Sequence, residues 1–134
     1  MKILVAYDGS AEAKLAVERA AEIAKLENAE VVVVSVTPVM ADARGAGIDP
    51  TSDVPEHRRQ LDEAIARLSE LGTAARSVEV VGHPADAIIQ IAENEKANLV
   101  VIGSRGLGGV QRFLMGSVSA RVAQHAPCNV YIAR

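Results

Sequence analysis

Continuous apolar runs alternate along this chain with segments in which apolar residues recur at helical spacing. The runs cover Lys2 to Tyr7, Glu30 to Val36 and Leu99 to Ile102. Such runs are typical of parallel strands that helices cover on both faces. The run from Ala75 to Val81 instead alternates Val with Ser and Glu, which predicts a less covered strand at a sheet edge. A short last strand is predicted from Cys128 to Ala133.

Four helices are predicted between these strands. The first spans Ser10 to Glu27, the second begins at Pro55 and stops at Gly72, and the others begin at Pro84 and at Gly116-Ser117. Proline at a helix start and glycine after its end are expected boundary residues. Because strands and helices alternate strictly, we expect a single α/β domain over residues 1–134. Its predicted fold is a Rossmann-like open parallel sheet of five strands, in the order 3-2-1-4-5, with helices on both faces.

The segment from Thr37 to Val54 follows neither pattern. It carries Pro38, Gly45, Gly47 and Pro50. A connection of this length without secondary structure is uncommon in a compact domain unless it is functional or mobile. We interpret it as a flap.

Two segments are candidates for the ligand crevice, which in an open parallel sheet lies beyond the carboxyl ends of the strands. One is Asp8-Gly9-Ser10 after the first strand, and the other is the glycine-rich loop after the fourth. A P-loop would require a G-x4-G-K-[ST] sequence, which the chain lacks. A dinucleotide site would require G-x-G-x-x-G after the first strand, so classical NAD binding is disfavoured. Flavin binding is disfavoured by the scarcity of aromatic residues.

The glycine-rich loop has the spacing G-x2-G-x9-G-[ST], formed by Gly103, Gly106, Gly116 and Ser117. Glycine lets the backbone approach phosphate oxygens without an intervening Cβ. The helix that begins at Gly116-Ser117 has unpaired N–H groups and a positive dipole end, with the Ser117 and Ser119 hydroxyls as further donors. The pattern predicts a triphosphate site without a lysine. The alternative is a loop whose glycines only turn the chain.

With these motifs the chain resembles the universal stress protein family, in its ATP-binding branch. The resemblance covers the whole chain and depends on four features: Asp8-Gly9-Ser10 before an alanine-rich helix, Gly82 followed by Pro84, LVVIGSRG from Leu99 to Gly106, and Gly116-Ser117-Val118-Ser119. The chain departs from the family pattern at Asn98, where Asp is frequent, and at Asn129, where Pro is frequent. Neither position lies in the glycine motif.

The resemblance implies an ATP site. It places the phosphates and ribose on the positions Gly103, Gly106, Gly116, Ser117 and Val118. It also places Asp8 beside the nucleotide, the backbone of Val36 against adenine, and Ala6 in the wall of the site.

Several polar residues allow more than one interpretation. Asp8 is a candidate magnesium ligand, a candidate ribose acceptor, or a cap for the first helix, although Ser10 can cap that helix instead. Arg105 and Arg112 either pair with phosphates or are solvated.

The remaining candidates for chemistry favour structural roles. His125 lies near a helix end, where its interaction with the helix dipole is favourable. His83 has no metal-ligating or carboxylate neighbour at a suitable spacing. Cys128 is expected to be packed rather than reactive. With no nucleophile–base pair visible in the sequence, we expect at most weak ATP hydrolysis.

Composition removes other classes of function. The formal net charge is −3, and only 2% of residues are aromatic, which argues against nucleic acid as a partner. No apolar run reaches the roughly 20 residues that cross a bilayer, and the N-terminus becomes polar too early for a signal peptide. The single Cys128 agrees with a reducing compartment. We therefore expect a cytoplasmic protein without a membrane partner.

Together these observations predict reversible ATP binding, with or without Mg²⁺, by a stress-response or regulatory module with as yet unidentified protein partners. The apolar last strand, Asn129 to Ala133, should lie at a sheet edge. Unpaired edges invite a partner, so we expect a homodimer through this strand, as is common in the family. The alternatives are a slow Mg-dependent ATPase that uses Asp8, and a nucleotide-independent interaction scaffold.

Overall fold

The structure is a computed structural model, and it describes residues 1–38, 54–105 and 116–134. Strands and helices alternate in it as predicted. In chain order they are β1 (Lys2–Ala6), α1 (Ala11–Glu27), β2 (Glu30–Pro38), α2 (Val54–Glu70), β3 (Ala75–Gly82), α3 (Pro84–Asn94), β4 (Leu99–Gly103), α4 (Ser117–His125) and β5 (Asn129–Ala133).

The five strands form one parallel sheet in the order β3-β2-β1-β4-β5, which confirms the predicted order. β1 lies in the centre because its residues Ile3, Leu4 and Val5 are apolar without alternation and are fully buried. β3 and β5 are the edge strands, and partly buried and exposed positions alternate along most of each. The alternation in β3 therefore identified an edge strand correctly.

The two faces of the sheet carry two hydrophobic cores. On one face, Ile3, Val5 and Val33 pack with the small side chains of α1 and with Leu61 and Leu68 of α2. On the other face, alternate residues of the same strands pack with α3 and α4. Helices on both faces explain why the central strands show no polar alternation. β1 and β4 are neighbours, and the order of the strands reverses between them.

Some predicted boundaries require correction. β2 does not break at Thr37-Pro38, because these two residues pair with Val81 and Gly82 of β3. β1 ends at Ala6, and Tyr7 and Asp8 lead from it into α1. Residues 39–53 of the predicted flap lie outside the described residues.

Candidate functional site

A cleft of about 640 Å³ opens at the carboxyl edge of the sheet. It lies over the ends of β1, β2 and β4 and between the first turns of α1 and α4, with α2 and α3 at its sides. The predicted site residues that line it are Ala6, Asp8, Val36, Gly103, Gly116, Ser117, Val118 and Ser119. Gly106 and Arg112 lie outside the described residues. The cleft therefore forms where strand order reverses, the usual ligand position in this class of fold.

One wall of the cleft is apolar. It consists of side chains on the α3 and α4 side of the sheet: Ala6, Val34, Val36, Ile88 and Ile102. Small and β-branched side chains from strand ends make a flat surface against which a planar aromatic ring can lie without losing hydrogen bonds. This wall suits a nucleobase better than a sugar or phosphate.

The first turn of α4 forms the opposite, polar end of the cleft. Gly116 occupies the N-cap position with φ −68° and ψ 159°, and it has no side chain to cap the helix. The helix makes its early hydrogen bond from Ala120 N–H to the Gly116 carbonyl, at 3.0 Å. Helix geometry leaves the preceding N–H groups, at residues 117–119, without an intrahelical acceptor. With the positive end of the helix dipole, they provide donors for an anion at the cleft.

Gly116 also packs closely against the end of β4. Its N–H donates to the Ser104 carbonyl at 2.6 Å, so this N–H is used within the protein. A Cβ at Gly116 would lie 3.3 Å from the Ser104 carbonyl oxygen and 3.4 Å from Arg105 Cα. The absence of a side chain here thus lets α4 begin directly beside the end of β4.

The hydroxyl of Ser119 does not have the predicted role of an extra donor to phosphate. Its side chain is almost fully buried. Its Oγ lies 2.7 Å from the Ser104 carbonyl oxygen and 3.1 Å from the Gly116 carbonyl oxygen. The single hydroxyl proton is therefore engaged within the protein, where it holds α4 to the chain after β4.

Gly103 also has a packing role that the sequence did not reveal. A Cβ at this position would lie 2.7 Å from Glu12 Cβ and 2.8 Å from the Glu12 carbonyl carbon. Glycine is needed here because β4 passes directly under the first turn of α1, and not only to admit a ligand. Gly103 still lines the cleft.

The first turn of α1 is closed by its own side chains. Ser10 Oγ accepts a hydrogen bond from Ala13 N–H at 3.1 Å, and Asp8 Oδ1 accepts one from Ser10 N–H at 3.0 Å. Gly9 between them adopts φ +82°, a conformation that costs glycine little. Ser10 is therefore the cap of α1. Asp8 braces the turn and also lines the cleft.

Three residues of α2 that the sequence analysis did not single out also line the cleft: Glu56, His57 and Gln60. His57 Nδ1 lies 2.9 Å from Ser35 Oγ of β2. This is a serine–histidine pair that the sequence did not reveal, but Ser35 is only 1% exposed, so its hydroxyl cannot reach a substrate. The sequence could have indicated His57 through its position one turn before Leu61. Residues four apart lie on the same face of a helix, and Leu61 is buried.

Tyr7 lies at the start of the turn into α1 and lines the same cleft. Its hydroxyl donates to Glu63 Oε1 at 3.3 Å. Burial, together with the negative charge of Glu63, raises the pKa of Tyr7 to about 12. Tyr7 is therefore a neutral donor at physiological pH.

The other polar candidates lie at helix ends and beside β5. His83 is the N-cap residue of α3 and His125 lies in the last turn of α4. Burial raises the pKa of the Cys128 thiol, which keeps it protonated. Across residues 1–38, 54–105 and 116–134, no three His, Cys, Asp or Glu side chains are grouped so that they could hold a metal ion. In the same part of the chain, no helix is long and apolar enough to cross a membrane.

Comparison with known proteins now identifies the family. The model of the universal stress protein family matches residues 1–134. The chain belongs to this family. A universal stress protein of Thermus aquaticus is 37% identical over 136 residues, which cover 98% of this chain and 97% of its own. The similarity to this relative therefore extends over nearly the whole chain and is not confined to the glycine-rich segment.

Solved structures of universal stress proteins superimpose over the full chain. The protein of Archaeoglobus fulgidus in complex with dAMP has a TM-score of 0.78 at 28% identity, covering 100% of this chain and 98% of that one. A universal stress protein in complex with cAMP has a TM-score of 0.77 at 30% identity, covering 100% and 97%. Both of these universal stress proteins therefore bind adenine nucleotides.

Proposed function

We propose that this protein binds ATP reversibly in the cleft and acts as a nucleotide-responsive regulatory or stress-response module. The observation that carries the proposal is the start of α4. There a helix N-terminus without a capping side chain opens onto a cleft whose other wall is apolar. The apolar wall takes the adenine ring, and the N–H groups of Ser117 and Val118 take phosphate oxygens.

The two nucleotide complexes of relatives support adenine as the base. The triphosphate is inferred from the first turn of α4 and the glycine spacing. A helix start that presents several N–H groups interacts more favourably with a more highly charged phosphate chain.

We propose that Mg²⁺ enters the cleft bound to the nucleotide. Asp8 is the carboxylate that follows β1 in the cleft, and one of its oxygens already accepts the Ser10 N–H. Mg²⁺ commonly keeps several waters and binds through one or two carboxylates plus substrate phosphates. A single protein ligand thus suits an ion delivered on ATP.

We further propose that the protein works as a homodimer through β5. This strand is at the edge of the sheet and pairs with β4 on its inner side. Tyr131 on this strand is 39% exposed. Light scattering would test the proposal, because a Val130→Pro variant that kept the mass of the wild-type dimer would contradict it.

The binding site is tested by calorimetric titration of nucleotide-stripped protein with ATP, with and without Mg²⁺, using a matched pair of proline variants. Ser117→Pro removes one N–H at the first position of α4, where proline fits helix geometry. Ala11→Pro makes the same change at the first position of α1. The residues before these two positions, Gly116 and Ser10, share φ −68° with ψ 159° and 164°, and both conformations tolerate a following proline.

We expect one ATP per chain for the wild type and for Ala11→Pro. Ser117→Pro should weaken ATP binding at least about tenfold, because a hydrogen bond to a charged group contributes about 1.5–3 kcal/mol. Equal ATP affinities for both variants would contradict the placement of the phosphates. If the folded wild type bound no nucleotide, the scaffold alternative would replace the proposal.

A further inference from the structure

Arg105 occupies a junction between the two helix starts. It follows β4 by two residues, and its Cα would lie 3.4 Å from a Cβ at Gly116, the N-cap of α4. Its side chain reaches in the other direction, where Nη2 donates to Glu12 Oε1 of α1 at 3.1 Å. Arg105 also lines the cleft. Arg105 therefore borders the same cleft as Ser117 and Val118, where the phosphates are proposed to bind.

The ion pair between Arg105 and Glu12 is more than a surface contact. The two side chains are only 22% and 24% exposed. Glu12 is held in place independently of Arg105, because its backbone lies directly over Gly103 of β4. Partial burial reduces screening by water and salt, so charges here act more strongly on a nearby phosphate than most surface charges do.

The Arg105 guanidinium has more N–H donors than its bond to Glu12 uses. A guanidinium has five N–H donors in a planar fork, and within the described chain one of them, on Nη2, is paired with Glu12. A planar fork of this kind matches two oxygens of a phosphate. Glu12 has the opposite effect, since its negative charge neutralises Arg105 and repels a phosphate nearby.

From this geometry we propose that Arg105 is a further phosphate-contacting residue and that Glu12, by holding it, sets how strongly the site distinguishes nucleotides by their phosphate charge. The proposal rests on the proposed function and assigns a specificity role within that same cleft. The proposal requires that substitutions of the two residues of this ion pair change ATP affinity in opposite directions. If the ion pair were purely structural, substitution of either residue would change ATP affinity in the same direction.

The test compares ATP with adenosine, which has the base and ribose but no phosphate. Calorimetric titrations of wild type, Arg105→Gln and Glu12→Gln with both ligands give the ratio of the two affinities for each protein. Arg105→Gln should lower ATP affinity about tenfold and leave adenosine unchanged. Glu12→Gln should raise ATP affinity about threefold or more, again with adenosine unchanged. Arg105→Lys, which keeps the charge but loses the fork, should fall between wild type and Arg105→Gln.

Three outcomes would overturn the proposal. One is an unchanged ratio of ATP to adenosine affinity in Arg105→Gln. Another is equal loss of both ligands in both variants, which would show that the pair only supports the fold. Urea unfolding of each variant shows whether a loss of binding comes from a loss of stability. Arg105→Lys provides a second variant at the same position if Arg105→Gln does not fold. The third is absence of nucleotide binding by the folded wild type, which would also remove the proposed function, whereas the other two outcomes would leave that function intact.

Discussion

The starts of α1 and α4 lie at the same edge of the sheet and have nearly the same backbone but opposite chemistry. Their N-cap residues, Ser10 and Gly116, both have φ −68°, with ψ 164° and 159°. The side-chain oxygen of Ser10 accepts a hydrogen bond from Ala13 N–H, whereas Gly116 has no side chain. The N-cap residue therefore supplies a side-chain acceptor at the start of α1 and none at the start of α4.

The two helix starts also differ in their surroundings, because the start of α1 packs against the protein and the start of α4 faces the cleft. The first turn of α1 lies on Gly103 at the end of β4. The first residue of α4, Ser117, is exposed and lines the cleft. The start of α1 is therefore a structural junction, and the start of α4 is the candidate ligand site. Variants at each start should separate stability from binding.

The largest effect is expected where α1 meets β4. Gly103→Ala places a Cβ within 2.8 Å of the Glu12 carbonyl carbon, and backbone atoms there cannot move aside like the end of a side chain. We expect a loss of about 3 kcal/mol in the free energy of unfolding, at the upper end for overpacked sites. Urea denaturation measures it. Gly82→Ala is the control, because its Cβ would lie an ordinary 3.8 Å from Ala87 Cβ. Equal stabilities for the two variants would contradict the packing account.

A smaller effect is expected from the cap of α1. Ser10→Ala removes the acceptor for Ala13 N–H and should cost about 1 kcal/mol of unfolding free energy. Its ATP affinity should stay within about twofold of wild type, because the phosphates are assigned to the other helix. Urea denaturation and calorimetry measure the two quantities. A tenfold loss of ATP affinity in a folded Ser10→Ala protein would move the phosphates toward α1.

A pH-dependent effect is expected from Tyr7 beside the first junction. Its pKa is raised from 10.0 to about 12 by burial and by Glu63, so the folded protein binds the phenol proton more tightly than the unfolded chain does. The resulting stability is fully present below about pH 10 and is lost as pH rises toward 12. The difference in unfolding free energy between wild type and Tyr7→Phe should therefore change between about pH 10 and about pH 12. A constant difference would show that Tyr7 titrates normally.

Most of the fold could be predicted from the sequence because burial leaves a local signature. Uninterrupted apolar runs identified the central strands, and alternation identified β3 as an edge strand. The end of β2 was missed because Pro38 was interpreted as a break. A proline cannot donate a hydrogen bond, yet at the end of this strand it still pairs with Gly82.

The candidate site was predicted in part. Ala6, Val36 and Ser117 do line one cleft, since all three follow from where parallel strands end and where helices begin. The steric reason for a glycine at position 103 could not be found from the adjacent residues in the sequence. The atoms that exclude a Cβ there belong to Glu12, which is distant in the chain. The engaged hydroxyl of Ser119 also depends on a tertiary contact, with Ser104.

The most direct test of the central claim measures the backbone amides of the two helix starts in one protein. Two-dimensional ¹H–¹⁵N spectra of labelled wild type would be recorded during titration with ATP and, separately, with adenosine. We expect ATP, but not adenosine, to shift the amide signals of Ser117 and Val118 strongly, and both ligands to leave those of Ala11 and Ala13 nearly unchanged. Phosphate-dependent shifts at Ala11 and Ala13 instead, or equal effects of ATP and adenosine at α4, would contradict the account.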